Sequence, residues 1–211
     1  MPRPLRIQTA DTLQHIIARG NDKQDLFIDK GDYKMYLQLL NAAKSEHGLK
    51  IYNYCLMNNH VHLLVSPSVD GAMAKVMERV TKQYAKYFNK KYGRKGHVFE
   101  GRYKSLIIQN EAYFAACMRY IDMNPVKAKL AKSPQDFRWS GFAALGFGRK
   151  REVALDQHEY FTEGCRTKKS QRKAYCEMVM NYKGIEVDPL KTHGAIIGDS
   201  AFKEKVRKLL K

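Results

Sequence analysis

The segment LKIYNYCLMNNHVHLLV, residues 49–65, predicts a β-hairpin and gives the frame for the rest of the chain. Apolar, aromatic and β-branched side chains fill residues 49–57 and 60–65, which is the composition of two buried strands. Asn58 and Asn59 stand between them, and Asn tolerates the left-handed backbone of a two-residue turn. The two strands are therefore predicted to be neighbours in an antiparallel sheet.

Two elements are predicted before the hairpin. Residues 13–18 form a short apolar strand that ends before Gly20. Asp32 is predicted to cap a helix that runs to residue 47, where Gly48 stops it. The apolar positions of this helix follow a helical period, so one of its faces is expected to be buried.

Three elements are predicted after the hairpin: a helix over residues 71–91, a strand over residues 103–109, and a helix over residues 111–123 that ends or kinks at Pro125. The full order is β-α-β-β-α-β with an additional helix. This order predicts an α+β protein with a ferredoxin-like split βαβ fold, in which an antiparallel sheet carries helices on one face. Residues 1–145 are expected to form this domain, and residues 146–211 a basic, mostly helical C-terminal extension.

The charge of the chain restricts its partners. Its 211 residues include 38 Lys and Arg against 21 Asp and Glu, a net charge of +17. An excess of this size indicates a polyanionic partner, most often nucleic acid. The four Cys are widely spaced, which favours reduced thiols over a disulfide framework. With no apolar run long enough for a membrane helix and no signal-peptide pattern, a cytoplasmic protein without a membrane partner is expected.

A basic stripe is expected on the helix predicted over residues 71–91. On a helical wheel its positive side chains share one sector, opposite the apolar ones: Lys75, Arg79, Lys82 and Lys86. Further positive charges with interleaved aromatic residues follow, among them Arg102 and Lys104. This combination suits single-stranded nucleic acid, whose bases stack while its phosphates are neutralised. A solvated helix face without a partner would give the same pattern.

Two histidines and a tyrosine are the candidates for chemistry. His60 and His62 lie two positions apart on a predicted strand, so both imidazoles point to one side and could hold a metal ion together. On the helix after the fourth strand, Tyr120 and Asn124 share a face because they are four residues apart. Mainly small side chains lie near Tyr120 on that face, which predicts room for a bulky ligand. Ordinary strand histidines, a half-buried tyrosine and a capping asparagine would explain each pattern separately.

Several collinear motifs resemble those of one known family: RPLRI at residues 3–7, HIIARGN at 15–21, YCLMNNHVHLLV at 54–65, YAKYFNKKYGRKGHVFEGRYKS at 84–105, RYIDMNPVKAKL at 119–130 and FRWSGF at 137–142. The family is that of the REP-associated tyrosine transposases, which belong to the single-tyrosine HUH transposases of insertion sequences. Asn58 and Gln14 depart from its pattern, which usually has Pro and Tyr there. Neither change removes a chemical group that the family mechanism needs.

The resemblance implies a mechanism and a role for each candidate residue. His60, His62 and Asn124 would hold a divalent ion, Mg²⁺ or Mn²⁺. Tyr120 would attack the scissile phosphate of single-stranded DNA and leave a 5′-phosphotyrosine and a free 3′-OH. Because the pKa of free Tyr is about 10, the phenolate of Tyr120 needs the metal or a nearby cation such as Lys127 or Arg119. Lys127 is also expected to bind DNA. The family also implies hairpin-forming repeats as the substrate and a monomer or homodimer as the active form.

Two other interpretations stay open at this point. A non-catalytic nucleic-acid-binding module on the same ferredoxin-like sheet would explain the charge and the aromatic residues. A metal nuclease with water as its nucleophile would also use the two histidines, and it would leave no covalent protein–DNA product. The single-tyrosine interpretation is the one that uses His60, His62 and Tyr120 together.

Overall fold

The predicted hairpin lies at one side of the central sheet. The structure is a computed structural model that describes residues 9–192 and 196–209, with side chains up to residue 206. Strands β2 (Leu49–Met57) and β3 (His60–Pro67) pair antiparallel across the predicted turn. The RPLRI motif at residues 3–7 lies outside the described residues.

The sheet has five strands in the described part of the chain, in the order β2-β3-β1-β4-β5. β1 (Gln14–Arg19) lies between β3 and β4 (Lys104–Ile108) and is antiparallel to both, which confirms the predicted split βαβ order. β5 (Ile196–Ile197) adds to β4 in parallel and makes the sheet mixed. The sequence did not predict β5, because an apolar run of two residues is too short to indicate a strand.

Helices α1 (Lys30–His47) and α2 (Ala72–Lys91) pack side by side and cover one face of the sheet. Tyr36 and Tyr84 meet edge to face between them, with ring centroids 5.2 Å apart. The prediction that Asp32 caps α1 is wrong by three residues. Asp29 is the N-cap, and Asp32 completes a capping box by accepting from the Asp29 backbone N–H.

Helix α3 (Glu111–Lys127) lies on the other face, against β2 and β3. Its apolar side is buried as predicted, with Phe114, Met118 and Ile121 in the core. The helix continues two residues past Pro125. A proline so close to the end of a helix removes one hydrogen bond of the last turn and leaves the preceding turns intact.

The C-terminal residues pack on the sheet domain through a buried polar contact. Helix α5 (Lys168–Asn181) lies against α3 and against α4 (Phe142–Phe147), and α6 (Ser200–Leu209) follows β5. The Tyr175 hydroxyl donates to the buried carboxylate of Asp122 on α3. Asn53 Nδ2 of β2 donates to the same carboxylate at 2.9 Å. Within its described residues, the extension thus contributes two helices, α5 and α6, with irregular segments between them, while the domain boundary at residue 145 stays a prediction.

Asp122 should make folding stability depend on pH. Burial raises its pKa from 3.8 to about 7, and the hydrogen bonds from Asn53 and Tyr175 oppose this rise. Between these two values the unfolded chain releases the proton and the folded chain retains it, so this group's contribution to stability falls as the pH rises. Asp122→Asn removes the titrating group. Its free energy of unfolding in urea should therefore fall less than that of the wild type between about pH 5 and about pH 8. An equal fall in both proteins would contradict the assignment.

Candidate active site

Three histidines lie side by side at the centre of the sheet. His60 and His62 project from β3, and His15 projects from β1, two residues before Ile17, which pairs with His62. Strand alternation therefore puts all three imidazoles on one face of the sheet. Ring centroids are 4.8 Å apart for His60 and His62, and 5.1 Å apart for His62 and His15. We call these three residues the histidine row.

The two β3 histidines each have Nδ1 engaged and Nε2 unpaired. His60 Nδ1 lies 2.7 Å from Asn59 Oδ1, and His62 Nδ1 lies 2.9 Å from His15 Nε2. The Nε2 atoms of His60 and His62 are buried and have no hydrogen-bond partner. Buried ring nitrogens without partners are uncommon in folded proteins, and such a pair is suited to bind a ligand.

These imidazoles are neutral at physiological pH. Burial lowers the pKa of His60 to about 4, and the Arg19 cation adds to the effect. Burial also lowers the pKa of His62 well below its usual value, and repulsion from His15, His60 and Arg19 acts in the same direction. A neutral imidazole is the form that offers a lone pair to a metal ion. The electrostatics therefore keep these side chains ready to act as ligands.

Helix α3 places Tyr120 beside the histidine row. Its ring centroid lies 5.6 Å from that of His62 and 6.1 Å from that of His15. Asn124 lies one turn further along α3, and its Nδ2 donates to the Tyr120 carbonyl oxygen at 2.9 Å. This bond orients the amide and leaves Asn124 Oδ1 as the atom with lone pairs to offer.

The donor set fits a divalent cation that takes both nitrogen and oxygen ligands. The described residues contain no group of three or more His, Cys, Asp or Glu side chains that could hold a metal ion. The predicted set differs from such groups because its third member is the Asn124 amide oxygen. Two imidazoles and one amide oxygen leave coordination positions for phosphate oxygens and water, as Mg²⁺ and Mn²⁺ prefer. The unpaired Nε2 atoms of His60 and His62 fit this role.

A family model described as "Transposase IS200 like" matches residues 9–124, a range that includes the predicted site residues: His60, His62, Tyr120 and Asn124. The chain belongs to the IS200-like transposase family. It is therefore a DNA-processing enzyme of the transposase class.

The solved structures that are similar to this IS200-like transposase include two other transposases. The REP-associated tyrosine transposase bound to a REP hairpin is 19% identical, aligns over 74% of this chain and 93% of its own, and has a TM-score of 0.60, which shows a common fold. A Deinococcus radiodurans "putative transposase" is 17% identical over 58% of this chain and 96% of its own, with a TM-score of 0.41. No curated protein matches the chain. None of the helices within residues 9–192 and 196–209 is long and apolar enough to cross a membrane.

In this transposase a C-terminal segment, residues 182–192, covers Tyr120; we call it the covering segment. The Asp188 carboxylate lies close enough to the Tyr120 phenol to raise its pKa. Lys104 Nζ of β4 donates to the carbonyl oxygens of Pro189 and Thr192, at 3.0 Å and 2.6 Å. A cavity of about 30 Å³ remains beside Tyr120. The predicted room for a bulky ligand is therefore absent here, because residues more than sixty positions downstream fill it.

Several charges act on the Tyr120 phenol. Burial raises its pKa to about 12, and the Asp188 carboxylate adds to the rise, while Asn124 and the Arg19 cation oppose it. Lys127 Nζ lies 5.5 Å from the centre of the Tyr120 ring. The phenol is thus fully protonated in this arrangement. Its conversion to phenolate requires added positive charge or the loss of the Asp188 contact.

The basic stripe lies apart from Tyr120. Lys75, Lys82 and Lys86 are exposed on α2, and Arg79 pairs with Glu46 of α1. The structure thus places the stripe on the helical layer across the sheet from α3. Arg102 is exposed in the loop before β4, whereas Lys104 and Lys127 lie near the histidine row and Tyr120.

One cation of the same helix has a structural role. Lys91 Nζ lies 2.7 Å from Asp29 Oδ2 and 2.7 Å from Asp32 Oδ1, and these contacts join the end of α2 to the start of α1. The positive charges that follow the stripe are therefore not all free for DNA.

Sequence reasoning missed His15, Arg19 and Asp188 as parts of the site. His15 and Arg19 stand in the HIIARGN motif, but their role depends on the pairing of β1 with β3. Alternation along β1 would have placed His15 and Arg19 on one face of the strand. The register of β1 with β3 is needed to show that His62 lies on the same face. Asp188 has no such signal, because it lies in an irregular segment far downstream.

Asp188 should raise the pKa of Tyr120 through its charge. Asp188→Asn removes that charge at nearly constant size, so the pKa of the phenol should fall towards its usual value of 10. At about pH 11, the ¹³Cζ resonance of Tyr120 should then lie further towards its phenolate position than in the wild type. Tyr120→Phe assigns the resonance. Glu186→Gln is the matched control, because Glu186 lines the same cavity but is not among the groups that shift this pKa. An unchanged resonance in Asp188→Asn would contradict the assignment.

Proposed function

We propose that this transposase is a metal-dependent endonuclease and strand transferase that cuts single-stranded DNA by transesterification, with Tyr120 as the nucleophile. The observation that carries the proposal is the position of Tyr120 beside two neutral imidazoles whose Nε2 atoms are buried and unpaired. Membership of the IS200-like family supports a role in cutting and joining DNA.

The protein groups have separate roles in this mechanism. His60 Nε2, His62 Nε2 and Asn124 Oδ1 would hold a divalent cation, Mg²⁺ or Mn²⁺. When bound, such an ion polarises the scissile phosphate and stabilises the charge of the transition state. Arg19 and Lys127 supply positive charge near the phenol and favour its deprotonated form.

The reaction would exchange one phosphodiester for another. Tyr120 Oη releases its proton to solvent and attacks phosphorus. The new bond joins Oη to phosphorus, the bond from phosphorus to the 3′ oxygen breaks, and that oxygen takes up a proton as a free 3′-OH. The 5′-phosphotyrosine keeps the energy of the original bond. A 3′-OH can therefore reverse the step and join strands without ATP.

The proposed substrate is a single strand that folds into hairpins. The similar REP-associated transposase is bound to a REP hairpin, and the net charge of +17 suits a polyanion. Phosphates would be neutralised by the basic side chains identified above: Lys75, Arg79, Lys82, Lys86, Arg102, Lys104 and Lys127. Lys104 would exchange the carbonyl oxygens of the covering segment for DNA phosphate. Residues 1–145 would form the catalytic domain of a monomer or homodimer in the cytoplasm, and residues 146–211 its extension.

Replacing Tyr120 tests the proposed nucleophile. Tyr120→Phe keeps the ring and its packing and removes the hydroxyl. With a labelled single strand that carries an inverted repeat found beside the gene, and with Mn²⁺ or Mg²⁺, the wild type should form an SDS-stable protein–DNA adduct. The variant should bind the same DNA and give neither adduct nor cleavage.

Tyr113→Phe is the matched control for this experiment. Tyr113 lies on the same helix two turns earlier, about 10 Å away along the axis, so its loss should leave the adduct unchanged. An adduct in Tyr120→Phe would place the nucleophile elsewhere. Cleavage by the wild type without any adduct would favour water as the nucleophile. Binding without cleavage or adduct in every condition would favour a non-catalytic module.

The basic stripe should bind phosphates without reading bases. Lys82→Ala should weaken binding of hairpin and unrelated single strands equally, and it should lower the slope of log K against log[salt] by about 0.7–0.9. Lys173→Ala is the control, since Lys173 is 78% exposed on α5, which packs on α3 and α4. Fluorescence anisotropy over a salt series gives both slopes. An unchanged slope for Lys82→Ala would show that the stripe is a solvated face.

A further inference from the structure

We propose that His15 is a positioning residue that accepts the Nδ1–H of His62 and thereby keeps His62 Nε2 available for the divalent ion. This inference rests on the proposed function, because it assigns a role within the same site. His15 stands outside the predicted ligand set and comes from a different strand.

The contact between the two rings is direct and fully buried. His15 and His62 have no exposed surface, and His15 Nε2 lies 2.9 Å from His62 Nδ1. Their rings are tilted by 53°, so the contact is an edge-on hydrogen bond between ring nitrogens and not a stacked pair. The His15 ring also meets the Tyr120 ring edge to face at 6.1 Å. His15 therefore touches both a proposed ligand and the proposed nucleophile.

One proton lies between His15 Nε2 and His62 Nδ1, and it can be bonded to either nitrogen. If the proton is bonded to His15 Nε2, then His62 carries its own ring proton on Nε2, and this nitrogen cannot bind a metal ion. If the proton is bonded to His62 Nδ1, then His62 Nε2 keeps its lone pair. His15 then carries its own ring proton on Nδ1, which also has no hydrogen-bond partner. Each arrangement leaves one N–H unpaired in the protein. Ion binding at His62 Nε2 therefore selects the arrangement in which His15 accepts.

The other histidine of the pair is held in the same way. His60 Nδ1 faces Asn59 Oδ1, a carbonyl oxygen that can only accept, so His60 carries its proton on Nδ1 and leaves Nε2 bare. His15 Nε2 accepts the Nδ1–H of His62, just as Asn59 Oδ1 accepts the Nδ1–H of His60.

Two substitutions at His15 separate positioning from packing. His15→Leu keeps a similar volume without an acceptor, and its dissociation constant for Mn²⁺ should rise about 10–100-fold. His15→Gln supplies a carbonyl oxygen in place of the ring nitrogen and should restore the affinity to within about threefold of the wild type. Electron paramagnetic resonance of free Mn²⁺ measures these constants. Binding of hairpin DNA in EDTA should stay unchanged in both variants, because it depends on phosphate contacts.

Nuclear magnetic resonance reads the position of the shared proton. In ¹⁵N-labelled wild type loaded with Mg²⁺, the proton should show a one-bond coupling to His62 Nδ1 and a coupling across the hydrogen bond to His15 Nε2. The coupling across the hydrogen bond should disappear in His15→Leu. A one-bond coupling to His15 Nε2 would overturn the inference. This measurement uses the wild-type protein, so it does not depend on whether a variant folds.

Control variants separate this inference from the proposed function. Leu106 pairs with His15 across the sheet, so Leu106→Val disturbs packing at His15 without removing the acceptor and should leave Mn²⁺ affinity unchanged. If His62→Ala leaves Mn²⁺ affinity unchanged, the metal site of the proposed function is wrong. If His62→Ala loses Mn²⁺ while His15→Leu retains it, only the role of His15 is overturned. If His15→Gln folds but loses Mn²⁺ affinity as His15→Leu does, His15 is itself a ligand. This result would also overturn its role as a positioning residue.

Discussion

The proposed site depends on imidazole nitrogens that are left unpaired inside a protein core. Burying a polar nitrogen without a partner costs free energy, and the sheet carries this cost at His60 Nε2 and His62 Nε2. Strand pairing makes this burial possible, because β1 and β3 hold the rings on one face of the sheet and β4 pairs with β1. A cation that binds these nitrogens would remove the cost, so ion binding would stabilise the centre of the sheet.

The second constraint is the covered state of Tyr120. A phenol that attacks phosphate has to lose a proton, yet burial and the Asp188 carboxylate both oppose this loss. The same segment accepts hydrogen bonds from Lys104, a cation on the same face of the sheet as His15. The covering segment thus contacts two groups that the proposed reaction needs, Tyr120 and Lys104. DNA phosphate would compete for Lys104 with the carbonyl oxygens of the segment.

The sequence predicts much of this architecture, for reasons that differ between its parts. The hairpin and the four antiparallel strands follow from local apolar patterns and turn residues, and these patterns need no tertiary information. The pair of His60 and His62, and the spacing of Tyr120 and Asn124, follow from strand and helix periods. His15 required the register between β1 and β3. Asp188 and the filled space at Tyr120 required the path of an irregular segment, which no periodic pattern specifies.

The central claim is that His60 and His62 offer their Nε2 atoms to a divalent ion beside Tyr120. Pulsed electron paramagnetic resonance of the protein loaded with Mn²⁺ tests this claim most directly, because it detects nitrogen nuclei bonded to the ion. The account predicts couplings from two imidazole nitrogens, of which one disappears in His60→Ala and the other in His62→Ala. Bound Mn²⁺ without coupling to any imidazole nitrogen would contradict the account.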